Sequence, residues 1–224
     1  MKVIVFDFDE TIGYFAQFGD LISILENLAG TKLTKSRFFK ILDLYPNLWN
    51  PSAIEAFNYL KQIKTSKIKV VIYTNNMGGR DWLLTLIQYI DKKLGKKIFD
   101  RVILAYKIGN KQIEKTRTSH DKTYKDLKKA MRLSDKVQIL FFDDQLHSIR
   151  ANSNVKYIHL VPYKYVINRK TMIKTLIHSS FGKTIMNKQR FKARLEKELT
   201  YTGKTGRVYG TSLNFKKIIQ SFIG

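Results

Sequence analysis

Small oxygen-bearing side chains follow three apolar, strand-like runs of this chain: KVIVF, KVVIY and VQILFF. The polar residues are, in chain order, Asp7 with Asp9, Thr74 with Asn75 and Asn76, and Asp143 with Asp144. The carboxyl ends of parallel strands meet at one edge of a sheet, and that edge is where such sheets bind ligands. We therefore expect the three sets of side chains to lie close together.

Carboxylates crowded at one edge repel one another and would partly protonate unless a cation joins them. The four carboxylates concerned are Asp7, Asp9, Asp143 and Asp144. A hard divalent ion held through oxygen atoms, such as Mg²⁺, satisfies them. Asp7, at the strand tip, can then act as a nucleophile. Asp9 lies on the same side of an extended chain and can act as general acid and base. Thr74 can donate a hydrogen bond to a phosphate, and a cationic side chain is needed to offset transition-state charge.

Strand and helix patterns alternate along residues 1–163, which predicts an α/β fold with a parallel sheet covered on both faces. Two further apolar runs, VILAY and KYIHLV, complete five predicted strands. Residues 14–50 are predicted to be mainly helical, with one helix ending at Gly30 and another covering 36–45; further helices are predicted at 52–64, 81–95 and 123–133, with a hairpin turn at Gly109. Ser36, Ser52 and Thr123 are predicted to begin three of these helices, because such side chains cap helix N-termini.

After Tyr163 the pattern changes to a basic, mostly helical extension, residues 164–224. One or two basic helices are predicted at 165–200, followed by a glycine-rich loop at 201–210 and a last helix. The whole chain carries a net charge of +23, and the extension alone contains 14 Lys or Arg against two Glu. This excess favours either plain solubility or an acidic partner, such as nucleic acid, a phosphoprotein or an anionic membrane surface.

The composition also limits the compartment and the chemistry. The chain has no cysteine, which excludes disulfides, thiol catalysis and thiolate metal sites. In the N-terminal sequence MKVIVFDFDE the charges come too early for a signal peptide, and no apolar run approaches the roughly 18 residues of a membrane helix. We expect an intracellular protein, cytoplasmic or nuclear, that is not secreted and has no membrane span.

The segment DFDET at 7–11 resembles the DxDxT motif of the haloacid dehalogenase superfamily, in its phosphatase branch. YTNN at 73–76 resembles the second motif of that superfamily, and FDD at 142–144 the fourth. The closest likeness is to the small C-terminal-domain phosphatase (NLI-interacting-factor-like) family. The magnesium-dependent phosphatase branch, and versions encoded by large DNA viruses, are similar too. The resemblance covers residues 1–163 and implies a Rossmann-like core with a small helical cap insertion at 14–50.

The resemblance also implies roles for the acidic residues and for one lysine. Asp7 would be the nucleophile that becomes phosphorylated, and Asp9 would protonate the leaving oxygen and later activate water. Two lysines of the segment HDKTYKDL compete for the catalytic position. Lys125 begins the tripeptide Lys-Asp-Leu, which matches the sequence of the small C-terminal-domain phosphatases at this position. Lys122 precedes the predicted cap Thr123 on a loop at the binding edge, and we favour it, with Lys125 as the alternative.

The same resemblance assigns the remaining site residues. Thr74 and Asn75 would hold the phosphoryl oxygens. Asp143 and Asp144 would complete the Mg²⁺ shell with Asp7 and with the backbone carbonyl of Asp9, and would orient the lysine. The small C-terminal-domain phosphatases have Asp-Asn where this chain has Asp-Asp. An extra carboxylate still binds Mg²⁺, so the difference is compatible with activity.

Three functions follow as hypotheses. The first is a Mg²⁺-dependent phosphomonoesterase acting on phosphoserine or phosphothreonine in a protein, because a small cap leaves a site open to macromolecules. The second is a nucleic-acid end phosphatase that the basic extension guides to its substrate. The third is an inactive scaffold that binds an acidic partner. The complete set of site aspartates argues against the third hypothesis.

Overall fold

The computed structural model describes residues 1–184, 188–200, 205–209 and 213–224. The chain forms two compact units. The first contains Met1–Gly13, Asn50–Pro162 and Thr211–Gly224, and the second contains Tyr14–Trp49 and Tyr163–Gly210. This grouping differs from the division expected from the sequence. The residues expected to form a cap group with most of the C-terminal extension, and the end of that extension belongs to the first unit.

Strands and helices are interspersed along the described residues. The strands are β1 (Lys2–Phe6), β2 (Ile68–Tyr73), β3 (Arg101–Ile103), β4 (Lys107–Ile108), β5 (Lys111–Gln112), β6 (Gln138–Asp143), β7 (Val155–His159), β8 (Lys164–Val166) and β9 (Gly206–Tyr209). The helices are α1 (Ala16–Ala29), α2 (Lys35–Leu42), α3 (Pro51–Ile63), α4 (Arg80–Leu94), α5 (Tyr124–Met131), α6 (Arg169–His178), α7 (Ser180–Lys183), α8 (Lys188–Glu198) and α9 (Phe215–Ile223). Within the described ranges, no helix combines the length and the apolar character that crossing a bilayer requires.

The first unit is built on a five-stranded sheet with the order β3-β2-β1-β6-β7. Every neighbouring pair in it is parallel, which confirms the predicted α/β fold. The register brings Phe6 level with Ile72 on one side and with Phe142 on the other. The next residues of these strands, Asp7 and Asp143 among them, therefore lie together at the carboxyl edge. The chain leaves β1 in one direction and later returns on its other side, so this edge is the switch point where open α/β sheets bind ligands.

Alternate residues of β1 enter two apolar layers. Val3 and Val5 pack in a buried cluster with Leu127 of α5. Phe6, on the opposite face, contacts Phe57 of α3 edge-on with ring centroids 5.3 Å apart. A strand buried on both faces requires a continuous apolar sequence, which is the pattern that predicted it.

The last helix, α9, packs on this sheet. Phe215 is fully buried and stacks on Phe142 with ring centroids 4.7 Å apart. Lys2 Nζ donates to the carbonyls of Phe222 (2.7 Å) and Ile223 (2.6 Å) at the C-terminal end of α9. The apolar face of α9 needs a partner, and the face of the sheet that carries Phe6 supplies one.

The second unit joins two distant stretches of sequence. The buried side chain of Gln17 in α1 pairs with the backbone of Ile167, donating to its carbonyl (2.7 Å) and accepting from its N–H (3.0 Å). Tyr45 Oη donates to the carbonyl of Met172 in α6 (2.8 Å). The 36 residues of Tyr14–Trp49 are too few to bury a core of their own, so they share one with α6 and its neighbours.

Residues 164–200 contain strand β8 before three helices, where one or two helices were predicted. Strand β8 pairs antiparallel with β9, which lies in the predicted glycine-rich loop. Residues 201–204 and 210 of that loop lie outside the described residues.

Two predicted helix starts were wrong by two residues. Helix α2 is capped by Thr34 rather than Ser36, and Thr34 Oγ1 accepts from the N–H of Arg37 (3.3 Å). Helix α3 is capped by Asn50 rather than Ser52, with Pro51 at the first helical position. Proline is favoured there because its fixed φ suits a helix and its missing N–H would have no partner.

Candidate functional site

The carboxyl edge of the first unit brings together the strand ends that the sequence pointed to. The N–H of Asp7 donates to the carbonyl of Phe142 (2.9 Å), and the N–H of Thr74 donates to the carbonyl of Ile103 (3.1 Å). These bonds continue the sheet ladder by one residue past β1 and β2. The side chains that follow the strands are therefore held by the sheet rather than by free loops.

Three buried carboxylates form one group at this edge. Asp7, Asp143 and Asp144 each place an oxygen within 4.8 Å of the others, and the group could hold a metal ion. Burial raises the pKa of Asp7 to about 8, Lys122 opposes that rise, and the charges of Asp143 and Asp9 add to it. A divalent cation would remove the repulsion and favour the ionised carboxylates.

Lys122 reaches into this group. Its Nζ donates to Asp7 Oδ1 (2.5 Å) and to Asp143 Oδ2 (2.8 Å), and the side chain is buried. The two carboxylates raise the pKa of Lys122 against the effect of burial, which favours the ammonium form. Lys125 is exposed, in the first turn of α5. Of the two lysines that the sequence left open, Lys122 is therefore the one in contact with Asp7.

The segment after β6 fixes the backbone that carries Lys122. The N–H of Ile149 donates to the carbonyl of Lys122 (3.2 Å). The residue directly before Lys122 is Asp121, and its carboxylate accepts from the N–H (3.1 Å) and the hydroxyl of Ser148. His147 Nδ1 lies 3.3 Å from the N–H of Lys122. We name these contacts the Lys122 clamp. The clamp was not predicted from the sequence, because its partners lie 25 or more residues apart in the chain.

Asp9 lies near the three-carboxylate group but outside it. Asn76 Nδ2 donates to both oxygens of its carboxylate, at 3.0 and 2.8 Å. Burial raises the pKa of Asp9, and the bonds from Asn76 oppose the rise. The chain turns back directly after Asp9, where Glu10 has a φ of 58° and its N–H donates to the carbonyl of Gly13 (2.8 Å). This left-handed conformation is unusual for a residue with a side chain, and here it forms the sharp turn that follows Asp9.

Thr74 and Asn75, the predicted phosphate-binding residues, occupy the end of β2. Thr74 is buried, and its Oγ1 accepts from the N–H of Asn76 (3.0 Å). Asn75 Nδ2 donates to the carbonyl of His120 (3.0 Å), and its Oδ1 is buried with no hydrogen-bond partner within the described part of the chain. The hydroxyl of Thr74 and the second side-chain N–H of Asn75 can each donate a hydrogen bond to a phosphoryl oxygen.

Arg117 is a buried residue that the sequence interpretation missed. Its guanidinium lies 4.8 Å from the ring centre of Tyr73 and donates to the carbonyls of Thr74 (3.0 Å), Leu104 (3.1 Å) and His120 (2.9 Å). It thereby ties the loop that leads to Lys122 to the end of β2. Burial lowers the pKa of Arg117, but an arginine stays charged under ordinary conditions. In the sequence, nothing distinguishes Arg117 from the many other basic residues, so this role could not be predicted.

Comparisons of the chain with protein-family models, with curated proteins and with solved structures found no match. The likeness to the haloacid dehalogenase phosphatases therefore rests on the short motifs at the three strand ends.

Proposed function

We propose that this protein is a Mg²⁺-dependent phosphomonoesterase that works through an aspartyl-phosphate on Asp7. The observation that carries the proposal is the position of Lys122 Nζ, which bridges Asp7 and Asp143 beside a third buried carboxylate. A buried lysine that only balanced charge would need one carboxylate. Here three buried carboxyl groups lie together and Lys122 contacts two of them, so in their ionised forms they carry more negative charge than one ammonium group balances.

The donor set fits Mg²⁺. Asp7, Asp143 and Asp144 offer carboxylate oxygens only, and Mg²⁺ prefers a few such ligands with water and phosphate in its remaining positions. When bound, the ion would polarise the phosphoryl group and offset its charge. The backbone carbonyl of Asp9, which the motif resemblance adds to the shell, is part of the same proposal.

The protein groups then perform two displacements at phosphorus. In the first, a carboxylate oxygen of Asp7 forms a bond to phosphorus, the bond from phosphorus to the substrate oxygen breaks, and Asp9 gives that oxygen its proton. In the second, a water oxygen bonds to phosphorus, Asp9 takes a proton from the water, and the bond to Asp7 breaks to release inorganic phosphate. The raised pKa of Asp9 suits it to hold a proton before the first step. Thr74, Asn75 and Lys122 hold the phosphoryl oxygens and stabilise their charge.

A phosphorylated macromolecule is the proposed substrate. The motif resemblance implies phosphoserine or phosphothreonine in a protein. A second candidate, the terminal phosphate of a nucleic acid, is favoured by the net charge of +23.

Hydrolysis of p-nitrophenyl phosphate by the wild type and by Asp7→Asn, with Mg²⁺ or with EDTA, tests the proposed chemistry. We expect Mg²⁺-dependent turnover that EDTA removes and that Asp7→Asn abolishes. Asp81→Asn, at an exposed position in the first turn of α4, is the matched control and should retain full activity. Turnover that persists in Asp7→Asn would refute the nucleophile assignment.

A further inference from the structure

Two aromatic side chains and a lysine form a cluster next to the proposed phosphoryl site. The rings of Tyr106 and His120 meet at right angles with centroids 5.6 Å apart, and Lys107 Nζ lies 5.0 Å from the Tyr106 ring centre. The residue His120 is exposed and Tyr106 is half-buried. We call these three residues the aromatic rim. None of them has a part in the phosphoryl-transfer steps described above.

The aromatic rim is fixed to the residues that would hold the phosphate. The backbone carbonyl of His120 accepts from Asn75 Nδ2 (3.0 Å) and from Arg117 (2.9 Å). His120 also precedes Lys122 by two residues, so their Cα atoms are at most about 7 Å apart. A group attached directly to the phosphate is therefore within reach of the rim.

The loop that carries the rim is basic. Residues 101–120 contain five Lys or Arg and one acidic residue, Glu114, which is buried and paired with Arg101 (3.2 Å). Lys111 and Lys115 are exposed, and neither has an ion pair within the described part of the chain. These two cations can contact an anion that extends away from the phosphoryl site.

We propose that the aromatic rim binds the terminal nucleotide of a single-stranded nucleic acid, so that the substrate is the phosphomonoester at its end. This inference rests on the proposed phosphatase function and names its substrate class. Bases stack on aromatic side chains whatever their identity, and a basic loop follows the repeated phosphates of a strand. A phosphopeptide supplies one phosphate and no regular array of charges, so it would leave Lys111 and Lys115 without a partner.

Kinetics on four substrates test the rim. The substrates are a ten-nucleotide thymidine strand with a 5′-phosphate, the same strand with a 3′-phosphate, a ten-residue phosphoserine peptide and p-nitrophenyl phosphate. We expect kcat/KM for one of the phosphorylated strands to exceed that for the peptide at least tenfold. In the double variant Tyr106→Ala with His120→Ala, the ratio of kcat/KM for that strand to kcat/KM for p-nitrophenyl phosphate should fall by about tenfold, mostly through KM. The substitution at residue 120 keeps the backbone carbonyl that holds Asn75.

Binding measurements test the basic loop separately from catalysis. Fluorescence anisotropy of a labelled phosphorylated strand with full-length Asp7→Asn gives the dissociation constant as a function of salt. The double variant Lys111→Gln with Lys115→Gln, made in that background, should lower the slope of log K against log salt by about 1.4, at roughly 0.7 per phosphate contact on a single strand. Lys67→Gln with Lys136→Gln, exposed positions that precede β2 and β6 at the opposite edge, is the matched control and should leave the slope unchanged.

The outcomes separate the two proposals. If p-nitrophenyl phosphate is hydrolysed but the peptide is preferred, or if Tyr106→Ala with His120→Ala keeps the wild-type ratio of kcat/KM values, the nucleic-acid inference is overturned and the phosphatase proposal stands. If the wild type hydrolyses none of the substrates while Tyr106→Ala with His120→Ala, made in the Asp7→Asn background, weakens strand binding at least tenfold in the anisotropy assay, the phosphatase proposal fails and the rim is retained as a nucleic-acid site.

Discussion

Lys122 is the residue whose replacement gives the sharpest test of the site. Lys122→Met removes the ammonium group and keeps most of the side-chain volume against Phe141, whose ring centre lies 5.8 Å from Nζ. Asp7 and Asp143 then face each other in a buried site without their cation. Removal of one partner from a buried ion pair destabilises a protein by about 3–5 kcal/mol.

Thermal unfolding in EDTA at pH 9, above the pKa of about 8 of Asp7, measures this effect. For a chain of this size each kcal/mol lowers Tm by about 2–4 °C, so Lys122→Met should unfold about 6–20 °C below the wild type. The loss should shrink as the pH falls, because the buried carboxyls become protonated and no longer repel one another. When MgCl₂ replaces EDTA, the difference in Tm between Lys122→Met and the wild type should become smaller, since the ion supplies part of the missing positive charge.

Lys125→Met is the matched control for the same experiment. Lys125 is exposed, and surface substitutions away from special features change stability by less than about 0.5 kcal/mol. Lys122→Met should also lower kcat by about 10²- to 10³-fold, the usual effect of losing a group that stabilises transition-state charge, while Lys125→Met should not. Equal Tm values and equal activities in the two variants would refute the assignment of Lys122 to the site.

Three more predictions concern the metal, the Lys122 clamp and the last helix. The affinity for Mg²⁺ should rise by up to about tenfold per pH unit below pH 8 and level off above it, because the ion must displace the proton that Asp7 holds with a pKa of about 8. Calorimetric titration with MgCl₂ from pH 6 to pH 9 measures this dependence. An affinity that does not change with pH would contradict the prediction. Asp121→Asn should weaken the contact with Ser148 that holds the backbone at Lys122, and it should lower kcat by about tenfold. The affinity for Mg²⁺ should stay the same in the titration just described. A wild-type kcat would show that the position of Lys122 does not depend on the clamp. Phe215→Ala should destabilise the protein by about 3–5 kcal/mol because it empties a fully buried site on Phe142, and an unchanged Tm would mean that α9 does not pack on the sheet in solution.

The central strands β1, β2 and β6 were the easiest part of the fold to predict. They are buried on both faces and must be apolar throughout, so a run such as VQILFF predicted a buried strand, and β6 covers Gln138–Asp143. Strand β3 ends at Ile103, before the end of the predicted run VILAY, and the carbonyl of Leu104 just beyond it accepts from Arg117. Periodicity in the sequence carries no information about such a distant partner.

Helix starts and the grouping of the C-terminal segment were harder to predict. Thr34 and Ser36 are both good capping residues, and only the path of the incoming chain decides which of them accepts the bond from the helix. The apolar face of α9 shows that the helix must pack against something. The sequence does not show that Phe142 and Phe6 are the partners.

The sequence by itself determined which polar groups meet at the candidate site. In a parallel sheet every strand ends at the same edge, so the positions of Asp7, Thr74 and Asp143 after apolar runs were enough. The tertiary structure alone decided which lysine joins them. Both Lys122 and Lys125 suit the start of α5, and the choice depends on where the loop before it is anchored. Arg117 and the Lys122 clamp provide that anchor through contacts between residues far apart in the chain, which no local pattern encodes.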